Sequence, residues 1–324
     1  MHKTALSMTF SRCRQVIALA LLGAGLVLTQ GETVISYVKE HRSPMTLNHA
    51  RTWCYQLFAI DLQAMRAADC DMLVIDPADD TRAYYSKKSL SAVKTNPDGR
   101  RRAVLAYLNI GEAEMYRPYW NRSWLRDAPP WLIGRNEAWR GNFKVRYWAP
   151  EWHQIVYGGA GSLLTAILGA GFDGVYLDNL DSYIESLTEN RQARREMVML
   201  VGSVAREARL KHKQFRIVAQ NAEELLSDDE YLQAIDGVAK EDLLFGIHGD
   251  GVRNDQSDIL HSIHYLNIAQ RSHKPVFVVE YIEGPAIEPA RRELAELGFV
   301  PLFAERLLDR ILPMRFRSPA ESNP

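Results

Sequence analysis

The sequence predicts a (β/α)₈ barrel, the TIM-barrel fold, for most of its 324 residues. Apolar runs of strand length alternate with helical patterns, and this alternation indicates a parallel sheet covered by helices. Eight such units within about 250 residues match the usual size of this barrel. Most of the runs end in a polar or acidic residue, as expected where barrel strands reach the rim that carries the chemistry. A doubly wound sheet is the alternative, but it would gather its ligand groups at one switch point.

The predicted strands are short apolar segments that lead into polar residues. The fourth is the clearest, because Val175 to Leu177 run directly into Asp178, Asn179 and Asp181. Helical patterns, such as residues 191–210 and 257–271, separate several of the strands. The eight strands are predicted at Trp53–Asp61, Met72–Asp76, Ala103–Ile110, Gly174–Asp178, Phe215–Asn221, Ile235–Glu241, Pro275–Tyr281 and Phe299–Phe303.

A long, aromatic-rich insertion follows the third strand, between Glu112 and Gly171, and holds six of the seven tryptophans. A long loop after a barrel strand is typical of a substrate-binding wall. Rings with polar edges suit the apolar faces of sugars, although we expect about half of these aromatics to pack the insertion onto the barrel. They are Tyr116, Tyr119, Trp120, Trp124, Trp131, Trp139, Tyr147, Trp148, Trp152 and Tyr157.

The N-terminus is expected to be a targeting segment rather than part of the fold. Basic residues such as Lys3 and Arg12 precede an apolar run from Val16 to Thr29, which describes a signal peptide better than a spanning helix of roughly 20 apolar residues. The cleavage site is poor, so an uncleaved anchor is the alternative. We expect residues 1–31 to be this signal peptide or anchor, 32–50 a linker, 51–314 the barrel and 315–324 a disordered tail. The expected location is periplasmic or extracellular.

The net charge and the cysteines limit the kinds of partner and cofactor that we expect. The net charge of −1 at pH 7 gives no global field for nucleic acid or for an anionic membrane, so contact with a membrane is expected only through the N-terminal anchor. Cys54 and Cys70 are the cysteines outside the targeting segment. An exported protein permits a disulfide between them, but we prefer two buried thiols. No C-x-x-C pair is present, and neither a metal nor an organic cofactor is expected.

Carboxylates at strand ends are the main chemical signal. A barrel converges its strand ends on one pocket, so acids far apart in sequence become neighbours. Two carboxylates that flank a bond are the usual apparatus of glycoside hydrolysis, one as general acid and the other as nucleophile or base. At least half of the set is expected to be structural, bonding to backbone amides. The six strand-end acids are Asp61, Asp76, Glu112, Asp178, Glu241 and Glu280.

Four long stretches carry a resemblance to a known family. The chain resembles the endo-α-1,4-polygalactosaminidases, a glycoside hydrolase family of exported (β/α)₈ barrels, over most of residues 50 to 305. The resemblance implies hydrolysis of a polymer of α-1,4-linked galactosamine and N-acetylgalactosamine. The matching stretches are Ala106–Trp120, Val145–Trp152, Phe172–Tyr183 and Ile235–Phe245.

The resemblance implies Asp178 as the nucleophile and Glu241 as the acid/base. Carboxyl groups about 5–5.5 Å apart would indicate retention of anomeric configuration, and a separation of about 6.5–9.5 Å inversion. Glu280 is the rival second carboxylate, and we expect it to bind substrate instead. Lys240, beside the acid, departs from the family pattern. The expected substrate-binding residues are Asp61, Asp76, Tyr107, Asn109, Glu112, Tyr147, Trp148, Asp181, Asn221 and Glu280.

The expected partner is a polysaccharide that is cationic where its amino groups are free. Asp76, Glu112, Asp181 and Glu280 around the catalytic pair would attract such a chain despite the neutral global charge. Two alternatives remain open. One is a non-catalytic glycan-binding barrel that serves exopolysaccharide export, and the other is a glycosidase that acts on a different amino-sugar polymer.

Overall fold

The computed structural model describes residues 46–311. The predicted signal segment, most of the predicted linker and the predicted disordered tail therefore lie outside the described residues. Within residues 46–311, no helix combines the length and the apolar character needed to cross a membrane. Cys54 and Cys70 are buried free thiols.

Eight strands form one parallel sheet in the order of the chain, so the predicted barrel is confirmed. Across the seam between the last strand and the first, Trp53 Nε1 donates to Val300 O at 3.1 Å, and the sheet is a nearly closed barrel. The strands are β1 (Trp53–Gln56), β2 (Met72–Ile75), β3 (Ala103–Asn109), β4 (Gly174–Asp178), β5 (Arg216–Gln220), β6 (Gly237–Glu241), β7 (Val276–Glu280) and β8 (Val300–Phe303).

The connections carry the helices that cover the barrel. The longest has buried residues at Met197, Val201, Val204 and Ala208, a spacing of three or four that places one apolar stripe against the sheet. The α-helices span Leu62–Met65, Lys87–Ser91, Pro150–His153, Leu163–Ala170, Ser182–Ser186, Ala193–Lys211, Asp229–Ala234, Gln256–Arg271 and Ile287–Glu296.

Alternate residues of each strand point into the barrel, because successive side chains in a strand face opposite sides. On β4, for example, Tyr176 belongs to the interior cluster, whereas Val175 and Leu177 pack outward against the helices. The interior is filled by Trp53, Tyr55, Met72, Val74, Ala103, Leu105, Tyr107, Tyr176, Val218, Ala239, Phe277, Val279, Val300 and Leu302.

The same alternation determines which side chains crown the interior at the carboxyl ends of the strands. On six strands, the residue two positions after the last interior side chain is polar and faces the same side. The crown consists of Asp76, Asn109, Asp178, Gln220, Glu241 and Tyr281. This end of the barrel therefore carries the candidate site.

The insertion after β3 forms a separate three-stranded antiparallel sheet of residues Glu112–Glu114, Leu132–Arg135 and Asn142–Val145. Aromatic rings join this sheet to the barrel. Trp131 lies between Trp124 and Trp152, with ring centroids 5.1 Å and 5.3 Å away. Trp152 is fully buried and its Nε1 donates to Ile110 O at 2.9 Å. These aromatics pack the insertion, while Trp139 is 56% exposed.

The prediction for the first strand was too long. β1 ends at Gln56, whose side-chain amide donates to Phe58 O and Ala59 O, so the chain turns there instead of continuing to Asp61. Ala59 has a φ of 49°, which is incompatible with an extended strand. The apolar residues beyond Gln56 misled the prediction because they belong to a loop.

Candidate active site

Asp178 is the last residue of β4, and its carboxylate is held by three donors. Tyr107 Oη donates to Oδ2 at 2.5 Å. Asn179 donates from its backbone N to Oδ1 at 2.7 Å and from Nδ2 to Oδ2 at 3.4 Å. Because hydrogen bonds to a carboxylate favour its charged form, these bonds oppose the effect of burial on the pKa of Asp178. The side chain is half-buried, so part of it faces solvent.

A close approach of two loops fixes the turn after Asp178. Asn179 has a φ of 58°, a left-handed conformation that asparagine tolerates better than most residues. A Cβ on Gly111 would lie 1.9 Å from Asn179 O, so the loop after β3 can pass here only with glycine. The Ile110-Gly111 segment therefore supports the position of Asp178 from the neighbouring strand.

Glu241 ends β6 and is likewise half-buried. Tyr281 Oη donates to Glu241 Oε1, and Asn221 Nδ2 lies 3.5 Å from Oε2. Asn221 Oδ1 also accepts from the backbone N of Glu241 at 3.1 Å. Asn221 thus contacts both the main chain and the side chain of this residue.

The two carboxyl groups are electrostatically coupled. Burial raises the pKa of Asp178 to about 8, and the charge of Glu241 adds to the rise. Burial also raises the pKa of Glu241, against the effect of the hydrogen bonds from Tyr281 and Asn221. Coupled acids titrate as a pair, so this pair keeps one proton near neutral pH. One protonated and one ionised carboxyl group is the state that acid-assisted glycoside cleavage requires.

Tyrosines form the floor beneath the pair. The rings of Tyr55 and Tyr176 lie 5.0 Å apart, and both hydroxyls feel the charges of Asp178 and Glu241. Burial, with those charges, raises the pKa of both phenols well above the ordinary value, so they remain neutral. Tyr176 Oη is buried without a hydrogen-bond partner among the residues that the structure describes. The floor is therefore apolar but edged with hydroxyl groups.

Asp76 lies in the crown, yet its charge is neutralised by a cation from the insertion. Arg117 Nη1 donates to Asp76 Oδ1 at 2.8 Å, and Arg117 Nε donates to Glu114 Oε2 at 2.5 Å. The arginine side chain is 6% exposed. Burial raises the pKa of Asp76, and Arg117 opposes that rise. The sequence prediction missed Glu114 and Arg117, because the pairing joins residues 41 positions apart.

Asn109 and Asp181 flank the pair in different ways. Asn109 is buried, and its Oδ1 accepts from the backbone N of Glu112 at 2.9 Å. Its Nδ2 has no partner among the described residues, although Asn109 aligns with Asp178 in the sheet register. Asp181 is exposed and directly precedes the helix Ser182–Ser186.

Other predicted binding residues are engaged elsewhere. Glu112 is buried and accepts from Asn136 and Asn142 of the insertion sheet. Tyr147 has no exposed surface, and its hydroxyl donates to the carbonyl of Ala193. Trp148 packs edge-on against Tyr147, with centroids 5.0 Å apart. The structure does not join these three side chains to the carboxylate pair.

Asp61 is also not part of the group of side chains around Asp178 and Glu241. Its side chain caps the short helix Leu62–Met65 by accepting from Gln63 N at 2.8 Å. It lines a cavity of ≈ 560 Å³ together with Cys54 and Ile311, and neither Asp178 nor Glu241 lines this cavity. The prediction that Asp61 ends a strand failed because β1 stops earlier.

Glu280 points away from the pocket, contrary to the expectation of a substrate-binding acid. It occupies the next alternate position after Val276 and Val278, whose side chains face outward, and it has no exposed surface. Its carboxylate accepts from the backbone N of Leu244 at 2.7 Å and of Phe245 at 3.2 Å. Burial raises the pKa of Glu280 to about 8, against those two hydrogen bonds. Glu280 therefore anchors the loop that follows β6.

Contacts in the structure explain the presence of Lys240 beside Glu241. It is the outward neighbour of Glu241, and its Nζ lies 3.0 Å from Glu223 Oε1. Ser262 Oγ donates to the same oxygen. Burial raises the pKa of Glu223, but Lys240 and Ser262 outweigh it and hold that pKa below the ordinary value. The ion pair joins β6 to the short helical turn Glu223–Ser227, and Ser262 links that turn to the covering helix Gln256–Arg271.

A nearly closed (β/α)₈ barrel with two coupled carboxyl groups at the carboxyl ends of its strands has the architecture of a glycoside hydrolase. Residues 36–317 match the model of glycoside-hydrolase family GH114. The chain belongs to this family and is a glycoside hydrolase.

The chain is also similar to two uncharacterized proteins and, in its fold, to a solved glycoside hydrolase domain. An uncharacterized protein of Deinococcus radiodurans is 33% identical over 296 residues, which cover 90% of this chain and 91% of the relative. An uncharacterized protein of Methanocaldococcus jannaschii is 32% identical, with 80% of this chain and 77% of the relative covered. Among solved structures, the glycoside hydrolase domain of PelA from Pseudomonas aeruginosa matches with a TM-score of 0.63 at 18% identity. That match covers 81% of this chain and 97% of the domain and supports the fold.

Proposed function

We propose that the protein hydrolyses a polymer of α-1,4-linked galactosamine and N-acetylgalactosamine, with Asp178 and Glu241 as its catalytic residues. The observation that carries the proposal is the coupled pair of half-buried carboxyl groups at the ends of β4 and β6. The linkage and the sugar rest on the resemblance of the four sequence stretches to the polygalactosaminidases.

The hydrogen bonds support a division of roles within the pair. Asp178 receives short bonds from Tyr107 and from the backbone of Asn179, which favour its anion. With substrate bound, Glu241 delivers the shared proton to the glycosidic oxygen, while Asp178 acts as an anion at the anomeric carbon; the bonds from Tyr107 and Asn179 favour this anion against the burial that raises the pKa of Asp178 in the free enzyme. Water completes the turnover. The chemistry needs only the two carboxyl groups and water.

Recognition of free amino groups rests on fewer acids than the sequence suggested. Asp76 is paired with Arg117, Glu112 binds two amides, and Glu280 faces the backbone. Asp181 is the exposed acid that follows the nucleophile strand. We assign the attraction of a cationic amino sugar to Asp181 together with the net charge of the catalytic pair.

The proposed cellular setting follows from the N-terminal sequence. A basic start and an apolar run from Val16 to Thr29 support export by a signal peptide or by an uncleaved anchor. The protein would then act on an exopolysaccharide in the periplasm or outside the cell, with residues 51–314 as the hydrolase domain.

The direct test is mass spectrometry of the products formed from partly deacetylated α-1,4-galactosamine polymer by residues 32–324. The wild type should release oligosaccharides, and Asp178→Asn and Glu241→Gln should release none while keeping the wild-type melting temperature or exceeding it. Glu189→Gln is the matched control, because it makes the same carboxyl-to-amide change on a surface residue that pairs with Arg146. It should cleave like the wild type.

The outcomes separate the alternatives. If Asp178→Asn retained near-full activity, the two-carboxylate assignment would be wrong. If the folded wild type bound the polymer but left it intact, the glycan-binding alternative would replace catalysis on this substrate. Cleavage of another amino-sugar polymer alone would keep the catalytic pair and change the substrate.

A further inference from the structure

Arg306, in the loop after β8, lies against the tyrosine that contacts Glu241. Its guanidinium carbon is 4.4 Å from the centroid of the Tyr281 ring. Nη1 and Nη2 each donate to one oxygen of Asp242 at 3.1 Å, and Nε donates to Asp250 at 3.0 Å. A guanidinium that is held at three nitrogens has a fixed plane. The ring of Tyr281 therefore packs against a rigid surface.

Asp242 is itself held in place. It directly follows Glu241 and has a φ of 52°. Its backbone N donates to Val279 O at 3.1 Å. Residues Phe245–Gly246 and Gly249–Arg253 form a short antiparallel hairpin after β6. A Cβ on Gly246 would lie 2.3 Å from Asp242 Oδ1, so this hairpin can pass the carboxylate only with glycine. The anchor of Arg306 is thus part of the loop that begins at Glu241.

Tyr281 transmits this rigidity to Glu241. A tyrosine hydroxyl lies in the plane of its ring, so fixing the ring fixes the direction of the hydroxyl. Tyr281 Oη donates to Glu241 Oε1. No comparable cation lies on the ring of Tyr107, which donates to Asp178, among the cation–ring contacts of the described residues. The two catalytic carboxyl groups therefore receive their tyrosine donors in different ways.

We propose that Arg306 is a positioning residue for the acid/base Glu241, and that it acts through the ring of Tyr281 while Asp242 and Asp250 hold its guanidinium. The inference rests on the proposed function, because it takes Glu241 as the acid/base. It assigns a role to residues that touch neither the scissile bond nor the catalytic carboxylates.

The direction of the effect follows from the groups around Glu241. A hydrogen bond to the ionised form lowers the pKa of a carboxyl group, so loss of the Tyr281 bond raises the pKa of Glu241. Arg306→Gln also leaves Asp242 without its cation, and the charge of Asp242 raises the pKa of Glu241. Arg306→Lys keeps a cation there, so it isolates the loss of the planar guanidinium from the loss of charge. The charged or titratable groups that face Glu241 are Asp178, Asp242, Tyr55, Tyr176 and Tyr281.

The experiment compares Tyr281→Phe, Arg306→Gln and Arg306→Lys. Titration of ¹³C-labelled glutamate side chains by NMR reports the pKa of Glu241 without substrate, with Glu241→Gln used to assign the resonance. A hydrogen bond to a charged group stabilises the ionised form, so Tyr281→Phe should raise this pKa by about one to two units. Arg306→Gln should raise it by a smaller amount, and Arg306→Lys should restore part of the wild-type value.

Kinetics on the galactosamine polymer provide the second readout. Arg306→Gln should lower kcat several-fold with little change in KM and move the alkaline limb of the pH profile upward. Arg253→Gln is the matched control on the same rim. Arg253 lies 5.4 Å from the ring centroid of Phe245 and pairs with Glu293 at 2.7 Å. It should leave both the pKa of Glu241 and kcat unchanged.

The results distinguish this inference from the proposed function. If Glu241→Gln abolished hydrolysis while Arg306→Gln left the pKa of Glu241 and the pH profile as in wild type, the inference would be refuted and the function would stand. If Glu241→Gln remained active, the function would fail. A loss of melting temperature in Arg306→Gln without a shift in either titration would show a merely structural role and also refute the inference.

Discussion

Tyr107→Phe removes one oxygen atom and tests how the pair divides its proton. Tyr107 is 7% exposed, and its hydroxyl lies 2.5 Å from Asp178 Oδ2. The ring also packs in the barrel interior, and phenylalanine keeps that packing. The variant therefore isolates the hydrogen bond to Asp178.

The magnitude follows from the charge on the acceptor. A hydrogen bond to an ionised group contributes about 1.5–3 kcal/mol, and one pKa unit corresponds to about 1.4 kcal/mol. The pKa of Asp178, about 8 in the wild type, should therefore rise by about one to two units. Asp178 then holds the shared proton more strongly and is less available as the proposed anionic nucleophile, so kcat/KM should fall about 10- to 150-fold.

The assay is the dependence of kcat/KM on pH, measured on the galactosamine polymer from about pH 4 to 10. Wild-type activity should decline above about pH 8, because the last proton of the pair leaves there. Tyr107→Phe should lower the plateau and shift this limb upward. Tyr231→Phe is the control, since Tyr231 Oη is buried without a partner among the described residues. A Tyr107→Phe enzyme with wild-type plateau and limb would refute the assignment of Asp178.

Three further predictions concern stability and substrate charge. Burial raises the pKa of Asp178 in the folded protein to about 8. The stability that its protonated form contributes is present below the pKa of Asp178 in the unfolded chain and is lost as the pH rises towards 8. Asp178→Asn should therefore melt at a higher temperature than the wild type at pH 9, with no gain at pH 4. Asp181→Asn should raise KM several-fold for the deacetylated polymer at low salt only, since salt screens exposed charges, and an effect that persists in 1 M salt would contradict this. Glu280→Ala should destabilise the fold by about 2–4 kcal/mol in denaturation experiments, because one buried and one partly buried N–H group lose their acceptor, whereas Glu280→Gln should leave KM unchanged in kinetic assays.

Much of the barrel was predictable because its strands are short apolar runs with abrupt polar ends. β4 was predicted with the observed bounds, Gly174–Asp178. β6 was predicted two residues early, at Ile235, but with the correct end at Glu241. Strand ends matter more than strand starts here, because the carboxyl ends place the candidate catalytic groups. Local sequence determines these ends, so the positions of the two acids could be inferred without a structure.

The surroundings of the pair could not be inferred in the same way. Arg117 and Asp76 meet across 41 residues of sequence, and Arg306 reaches Asp242 across 64. Such contacts depend on how the loops fold over the rim, and no local pattern encodes them. The aromatic insertion was located from composition, but its antiparallel sheet turned Glu112 towards the side-chain amides of Asn136 and Asn142.

The alternation of side chains along β7 would have indicated from the sequence that Tyr281, and not Glu280, faces the barrel interior. Interior residues of β7 occur at Phe277 and Val279, so the next inward position is Tyr281 and Glu280 must point outward. The same alternation on β6 places Glu241 inward and Lys240 outward. An acid at a strand end is therefore a site candidate only when it continues the inward series.

The turns after β4, β5 and β6 explain where the series of inward-facing residues ends on these three strands. Asn179, Asn221 and Asp242 have φ values of 58°, 54° and 52°, so three adjacent strands leave the sheet through left-handed residues. Each such residue costs about 1–2 kcal/mol relative to ordinary backbone. At two of them the turn follows Asp178 or Glu241 directly, and at Asn221 the side chain that makes the turn binds Glu241. Backbone strain is therefore present beside the pair, and the side chains of Asn179 and Asn221 at these turns contact the two carboxyl groups.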